Sequence, residues 1–147
     1  MKKMFLIVVI LFSLFLISCE SYSSQKVEIG TPQAGEKIKV LFLESEKEQL
    51  EARAKDIEKN LTDGLKGKHV LSVKTVYSGR FLYSGEIVFT ENPEENLNAK
   101  FLSFAEGGKA GEKKIKEEIQ REIESGQIKA AQIIYNKGRV VAAEIYY

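Results

Sequence analysis

One hairpin pattern occurs twice, at an offset of 58 residues, and it constrains the fold more than any other feature of the chain. Val76-Tyr77 returns as Ile134-Tyr135, Glu86-Ile87 as Glu144-Ile145 and Phe89 as Tyr147, with no gap across the turn. Apolar and polar residues alternate on both sides of that turn, so strands are predicted over residues 70–77 and 81–90, and again over 128–135 and 139–147. Ser78-Gly79 marks the first turn. A repeated unit of about 50 residues that cannot cover its own apolar face predicts two copies packed on a common core. The competing explanation is two independent amphipathic hairpins that resemble one another by chance.

Each hairpin is preceded by a strand and a helix. Residues 37–43 (KIKVLFL) form an apolar run of strand length, and Ser45-Glu46-Lys47-Glu48 has the form of a capping box, which predicts a helix start there. Leu50, Ala54, Ile57, Leu61 and Leu65 follow at helical spacing until the glycines at 64 and 67. The second half repeats the order, with a strand over 100–104 aligned to 39–43 and a helix over 110–124. The expectation is a single α+β domain over 37–147, with repeat-like halves 37–90 and 99–147. These are tandem βαββ units forming an antiparallel-rich sheet with two helices on one face.

Within the first hairpin, Leu71, Val73 and Tyr77 fall on one face with Phe81, Tyr83, Ile87 and Phe89. That aromatic face is expected to pack beneath the helices, the alternative being a ligand-binding stripe. The opposite face reads Val70, Ser72, Lys74 and Val76 against Leu82, Ser84, Glu86 and Val88, half of it polar.

Each βαββ unit resembles the very small sporulation-type proteins of spore-forming bacteria. The resemblance is carried in the first unit by residues 38–42, by Glu44-Ser45-Glu46 and by the closing residues 86–89. It implies a short strand, an acidic capping segment, a helix and an aromatic-tipped strand, and it brings no catalytic residue with it.

At the start of the chain, Lys2 and Lys3 precede an apolar run over residues 4–17, interrupted only by Ser13, and Leu16-Ile17-Ser18-Cys19 closes it. This resembles a bacterial lipoprotein signal peptide, with residues 1–18 as the leader and Cys19 as the lipidated first residue of the mature chain. An uncleaved span would need about 20 apolar residues, and a cleaved leader without lipidation leaves the position of the cysteine unexplained. The resemblance implies a membrane partner through the Cys19 anchor and a place on the bacterial cell membrane or outer membrane, with the domain facing the periplasm or exterior. Residues 19–36, rich in small and polar residues and containing Pro32, read as a flexible tether spanning roughly 20–25 Å, the alternative being a short strand around residues 26–29.

Cys19 is the sole cysteine, so the domain must hold together on an ordinary core without disulfides. From residue 19 onward the chain carries 20 basic and 21 acidic residues. Near-neutrality speaks against nucleic acid as a partner, and against electrostatic attraction to anionic lipid.

No residue pattern indicates catalysis. His69, the single histidine, is expected to lie exposed, and carboxylates alone make a poor zinc site, so neither metal nor cofactor is expected. Residues 106–111 (EGGKAG) stand between a strand and a helix, where an anion could bind, but lack the spacing of a phosphate or dinucleotide loop and read as a flexible connection. In the second helix Glu112, Lys113 and Lys114 face Lys116, Glu117 and Glu118 at i,i+4, which marks a solvated surface opposite Ile115, Ile119 and Ile123. Asn60-Leu61-Thr62 matches a glycosylation sequon within a helix, where it carries little meaning.

The reading that follows is a non-enzymatic binding or structural lipoprotein of the envelope. The alternative is an accessory factor in envelope assembly that binds a protein partner through a sheet edge. A carboxylate-based enzyme ranks third.

Overall fold

The computed structural model describes residues 22–92, 96–105 and 108–147. The leader and Cys19 lie outside the described residues, as do Glu106 and Gly107 of the glycine-rich connection. Seven strands and two helices follow in the order β1 (Tyr22–Glu28), β2 (Ile38–Leu43), α1 (Leu50–Gly64), β3 (His69–Ser78), β4 (Phe81–Thr90), β5 (Ala99–Ser103), α2 (Gly108–Glu124), β6 (Ala130–Asn136) and β7 (Arg139–Tyr146). The antiparallel α+β class expected from the sequence is observed, but the strands divide between two sheets, β1-β3-β4-β2 and β5-β7-β6.

The two βαββ units share one topology, since β3-β4-β2 and β6-β7-β5 have the same order. Their registers also coincide. Val76↔Ser84 and Tyr77↔Leu82 in the first hairpin correspond, at the offset of 58, to Ile134↔Ala142 and Tyr135↔Val140 in the second. Both hairpins therefore bulge at the same place, with Tyr83 and Val141 as the extra residues. Both turns also open on a positive φ, at Gly79 (58°) and at Lys137 (49°). For β5, pairing of Phe101 with Glu144 and Leu102 with Ala143 matches Phe42↔Glu86 and Leu43↔Gly85, so the equivalent residues are 42–43 and 101–102. The sequence alignment had placed this strand two residues off.

Residues 22–28, assigned by composition to a tether, form β1, which pairs with β3 from Tyr22↔Ser78 to Glu28↔Ser72. It occupies the edge of β3, and the second unit packs face to face on the first sheet rather than extending it.

Ala54, Ile57 and Leu61 of α1, with Leu65 beyond its end, bury against the inner face of the first sheet, where Leu43, Val73, Ile87 and Phe89 meet them. Gly64 permits this approach, because a Cβ there would stand 2.8 Å from Leu41 Cδ2 and 2.9 Å from Ile87 Cδ1. On the second sheet, Ile115 and Ile119 of α2 pack on Leu102, Val140, Ala143 and Ile145. The opposite face of that sheet, with Ile134, Ala142 and Tyr146, joins Tyr77 and Leu82 in the first core. Each helix thus covers its own sheet, rather than both lying on one face of a shared sheet.

Three local expectations are corrected. The capping-box serine does not cap α1: Ser45 Oγ donates to Asp56 at 2.6 Å and accepts from Lys47 N, and the helix begins at Leu50 after Gln49. Bulges at Leu71 and Tyr83 turn Val70 and Leu82, assigned to the polar face, into the core. Ile123, placed on the buried stripe, is half exposed at the end of α2. Glu112–Lys116 and Lys113–Glu117 ion pairs form as expected, and Glu118 meets Arg121 and Lys100.

Candidate functional site

β1 and β2 are the two edge strands of the first sheet; β1 pairs with β3 and β2 with β4, and each leaves its outer side unpaired. The β2 register, Ile38↔Thr90, Val40↔Val88 and Phe42↔Glu86, sets those three side chains on the face away from α1. They are 56%, 47% and 66% exposed. Alternation explains the pattern: Leu41 and Leu43 point inward to the core, so the other apolar residues of the strand must point to solvent. Beside them the open face carries Val76, Val88, Ser84 and the facing pair Lys74 and Glu86, and Phe42, Lys74 and Glu86 line a shallow hollow. Free backbone donors and acceptors next to an exposed apolar stripe are what an added strand requires.

Nothing in residues 37–43 taken alone announces this exposure. An apolar run fits a central strand buried on both faces equally well, and only the strand order puts it at an edge.

A second cluster lies between the sheets. Glu144 is fully buried; Thr75 Oγ1 donates to its two oxygens at 2.8 and 3.1 Å, and Tyr146 OH donates at 2.8 Å. Gln132 Nε2 lies 3.3 Å from Thr75 Oγ1, while Gln132 Oε1 has no hydrogen-bond partner among the described residues. Burial pushes the Glu144 carboxyl above its ordinary range, against the opposing effect of these hydrogen bonds. Burial and the neighbouring carboxylate also raise the Tyr146 and Tyr77 phenols. Enclosed between the two sheets, this carboxyl links β7 of the second unit to β3 of the first. The offset of 58 relates it to Glu86, which stands on the open face of the first unit.

His69, expected to be exposed, is mostly covered; its Nδ1 lies 3.4 Å from Thr90 Oγ1 and 3.7 Å from Glu36 Oε2. The Gln33 amide, chiefly, with Thr90, Asn92 and His69, holds the Glu36 carboxyl below the ordinary range. Among the described residues no group of three or more His, Cys, Asp or Glu is arranged to hold a metal ion. The aromatic face splits as well: Tyr77 and Phe89 are core, while Tyr83 lies under the Arg53 guanidinium at 4.1 Å, with the Tyr22 ring edge-on at 5.1 Å. The sequon residues sit within α1, with Leu61 buried and Thr62 Oγ1 donating to Glu58 O.

Compared with protein-family models, with curated proteins and with solved structures, the chain gives no match.

Proposed function

We propose that this chain is a lipid-anchored, non-enzymatic binding module of the bacterial envelope, held through Cys19, whose β2 edge receives an extended segment of a protein partner. The lipobox-like Leu16-Ile17-Ser18-Cys19 supports the anchor. The observation that carries the binding role is the unpaired outer edge of β2, with Ile38, Val40 and Phe42 turned to solvent beside it. An edge that is apolar on its outer face invites pairing, and soluble domains ordinarily blunt such edges with charge, proline or a bulge. Here the one charged side chain within β2, Lys39, is drawn aside by Glu91 at 2.6 Å.

A photoreactive residue at Phe42 tests the role in membranes from cells that make the protein. A single discrete adduct, whose cross-linked peptide belongs to another envelope protein and which disappears with Val40→Lys, is expected. The same adducts from a control position on the exposed face of α2 would contradict edge recognition.

A further inference from the structure

The nearly neutral chain hides an uneven distribution of charge at the end where β1 begins. Tyr22 pairs with Ser78, so the start of β1 lies beside the Gly79-Arg80 turn. That turn touches the second hairpin, because a Cβ on Gly79 would stand 3.8 Å from Asn136 Nδ2. Arg139, closing the second turn, reaches Gly108 at the start of α2, and Arg80 and Arg139 line one hollow there together with Glu112, whose carboxyl is held below the ordinary range chiefly by Lys116 with Arg139 contributing. Two hairpin tips and a helix start thereby gather Arg80, Lys109, Lys137 and Arg139 around the point where the described chain enters. None of the four makes an ion pair among the described residues. Half-exposed Tyr22 and Tyr135 stand with them, and Arg80 stacks on Phe81 at 4.2 Å.

From these positions we infer that this end of the domain docks on anionic phospholipid headgroups. The inference rests on the proposed lipidation of Cys19, which lies three residues before Tyr22. Three residues reach roughly 10 Å at most, so an anchor at Cys19 holds the start of β1 against the headgroup layer. Lys and Arg there gain from the negative surface potential within a Debye length, and tyrosines suit the interface. The charge pattern also sets a tilt. Leu43↔Gly85 carries the following Glu44, Glu46 and Glu48 to the same end of the first sheet but to its far side, beyond β4. Cations near β1 and acids near β2 turn the second unit toward the membrane and leave the β2 edge facing outward. Summed over the chain the charges nearly cancel; the fold gathers four of the cations at this one end.

The test uses the lipidated full-length mature protein in vesicles of pure phosphatidylcholine, or with about 30% phosphatidylglycerol, doped with a headgroup gadolinium chelate. On anionic vesicles the Arg80 and Lys137 amides should lose signal at least about threefold more than on neutral ones, while Gly126 and His69 change little. The combined variant Arg80→Gln, Lys109→Gln, Lys137→Asn and Arg139→Gln should abolish that difference with an unchanged circular dichroism spectrum. Equal attenuation on both vesicles, or the strongest attenuation at Gly126, would overturn docking while leaving the anchor intact. Intact mass of the same sample reads the anchor separately: an unlipidated Cys19 would overturn both readings together.

Discussion

Thr75 Oγ1 donates to Glu144 Oε2 at 2.8 Å, joining β3 of one βαββ unit to β7 of the other across the buried space between their sheets. Both residues are fully buried, and the Tyr146 hydroxyl and the Gln132 amide complete the cluster. Thr75→Val removes the group that serves both carboxyl oxygens and should cost about 1–3 kcal/mol. Glu144→Ala should cost more, because it strands several buried donors and opens a void. A double-mutant cycle with Thr75→Val and Glu144→Gln, read by urea denaturation, should give a coupling of at least ~0.5 kcal/mol. Additive losses would show that the contact contributes nothing to joining the units.

Stability should fall as pH rises from mildly acidic to alkaline. The Glu144 carboxyl is raised above its ordinary range by burial, so its protonated form favours folding below the unfolded carboxylate value. That contribution is lost as pH climbs through the raised folded value. Glu36 and Glu122 act in the opposite sense: hydrogen bonds hold both below the ordinary range, the first chiefly through Gln33 and the second chiefly through Lys100. Their contribution is present above the unfolded carboxylate value and lost as pH drops through their depressed ones. Melts from about pH 4 to about pH 8 should peak on the acidic side for the native chain, and Glu144→Gln should flatten the decline toward high pH.

A chain starting at Lys37 should be clearly less stable than one starting at Glu20. It lacks β1, with its seven register pairs to β3, and the partly buried Val27 and Ile29. Loss of that apolar burial is worth roughly 3 kcal/mol, or about 10 °C in melting midpoint for a domain of this size. Equal midpoints by circular dichroism would return residues 22–36 to the status of a tether.

What the sequence made legible was local and repeated. The hairpins, their turns and both apolar helix stripes follow from periodicity and from the offset of 58, because side-chain alternation is a short-range property. What it concealed depended on strand order. Residues 22–25 are too polar to extend the short strand that 26–29 allow: Ser23 and Gln25 face the half-covered side of β1, and only Val27 packs on the core. Ser45 and Glu48 satisfy a capping template, yet Asp56 and Arg53 engage Ser45 instead. Nothing in the sequence marks Glu144 as different from Glu86, its counterpart on the open face, and only the stacking of one unit on the other buries it. The exposure of Val40 and Phe42 likewise belongs to the edge position of β2, not to the composition of the strand.

Ile57 of α1 and Ile119 of α2 lie in separate apolar clusters, yet the Thr75–Glu144 contact and the packing of Tyr146 with Tyr77 bind the two units into one body. Ile57→Ala and Ile119→Ala should each cost about 2–5 kcal/mol, with the smaller loss at the slightly more open Ile119. Calorimetry should show one cooperative transition that either substitution lowers as a whole. Two transitions, each moved by one substitution alone, would mean that the units fold independently.

The proposed envelope anchoring is read by the intact mass of the protein extracted from bacterial membranes with detergent. The expected product is a chain that has lost residues 1–18 and carries diacylglycerol, with or without an added acyl group, on Cys19, while Cys19→Ala gives an unprocessed or soluble product. A native chain that retains its leader, or a processed one with an unmodified Cys19 that stays membrane-bound, would contradict that anchoring.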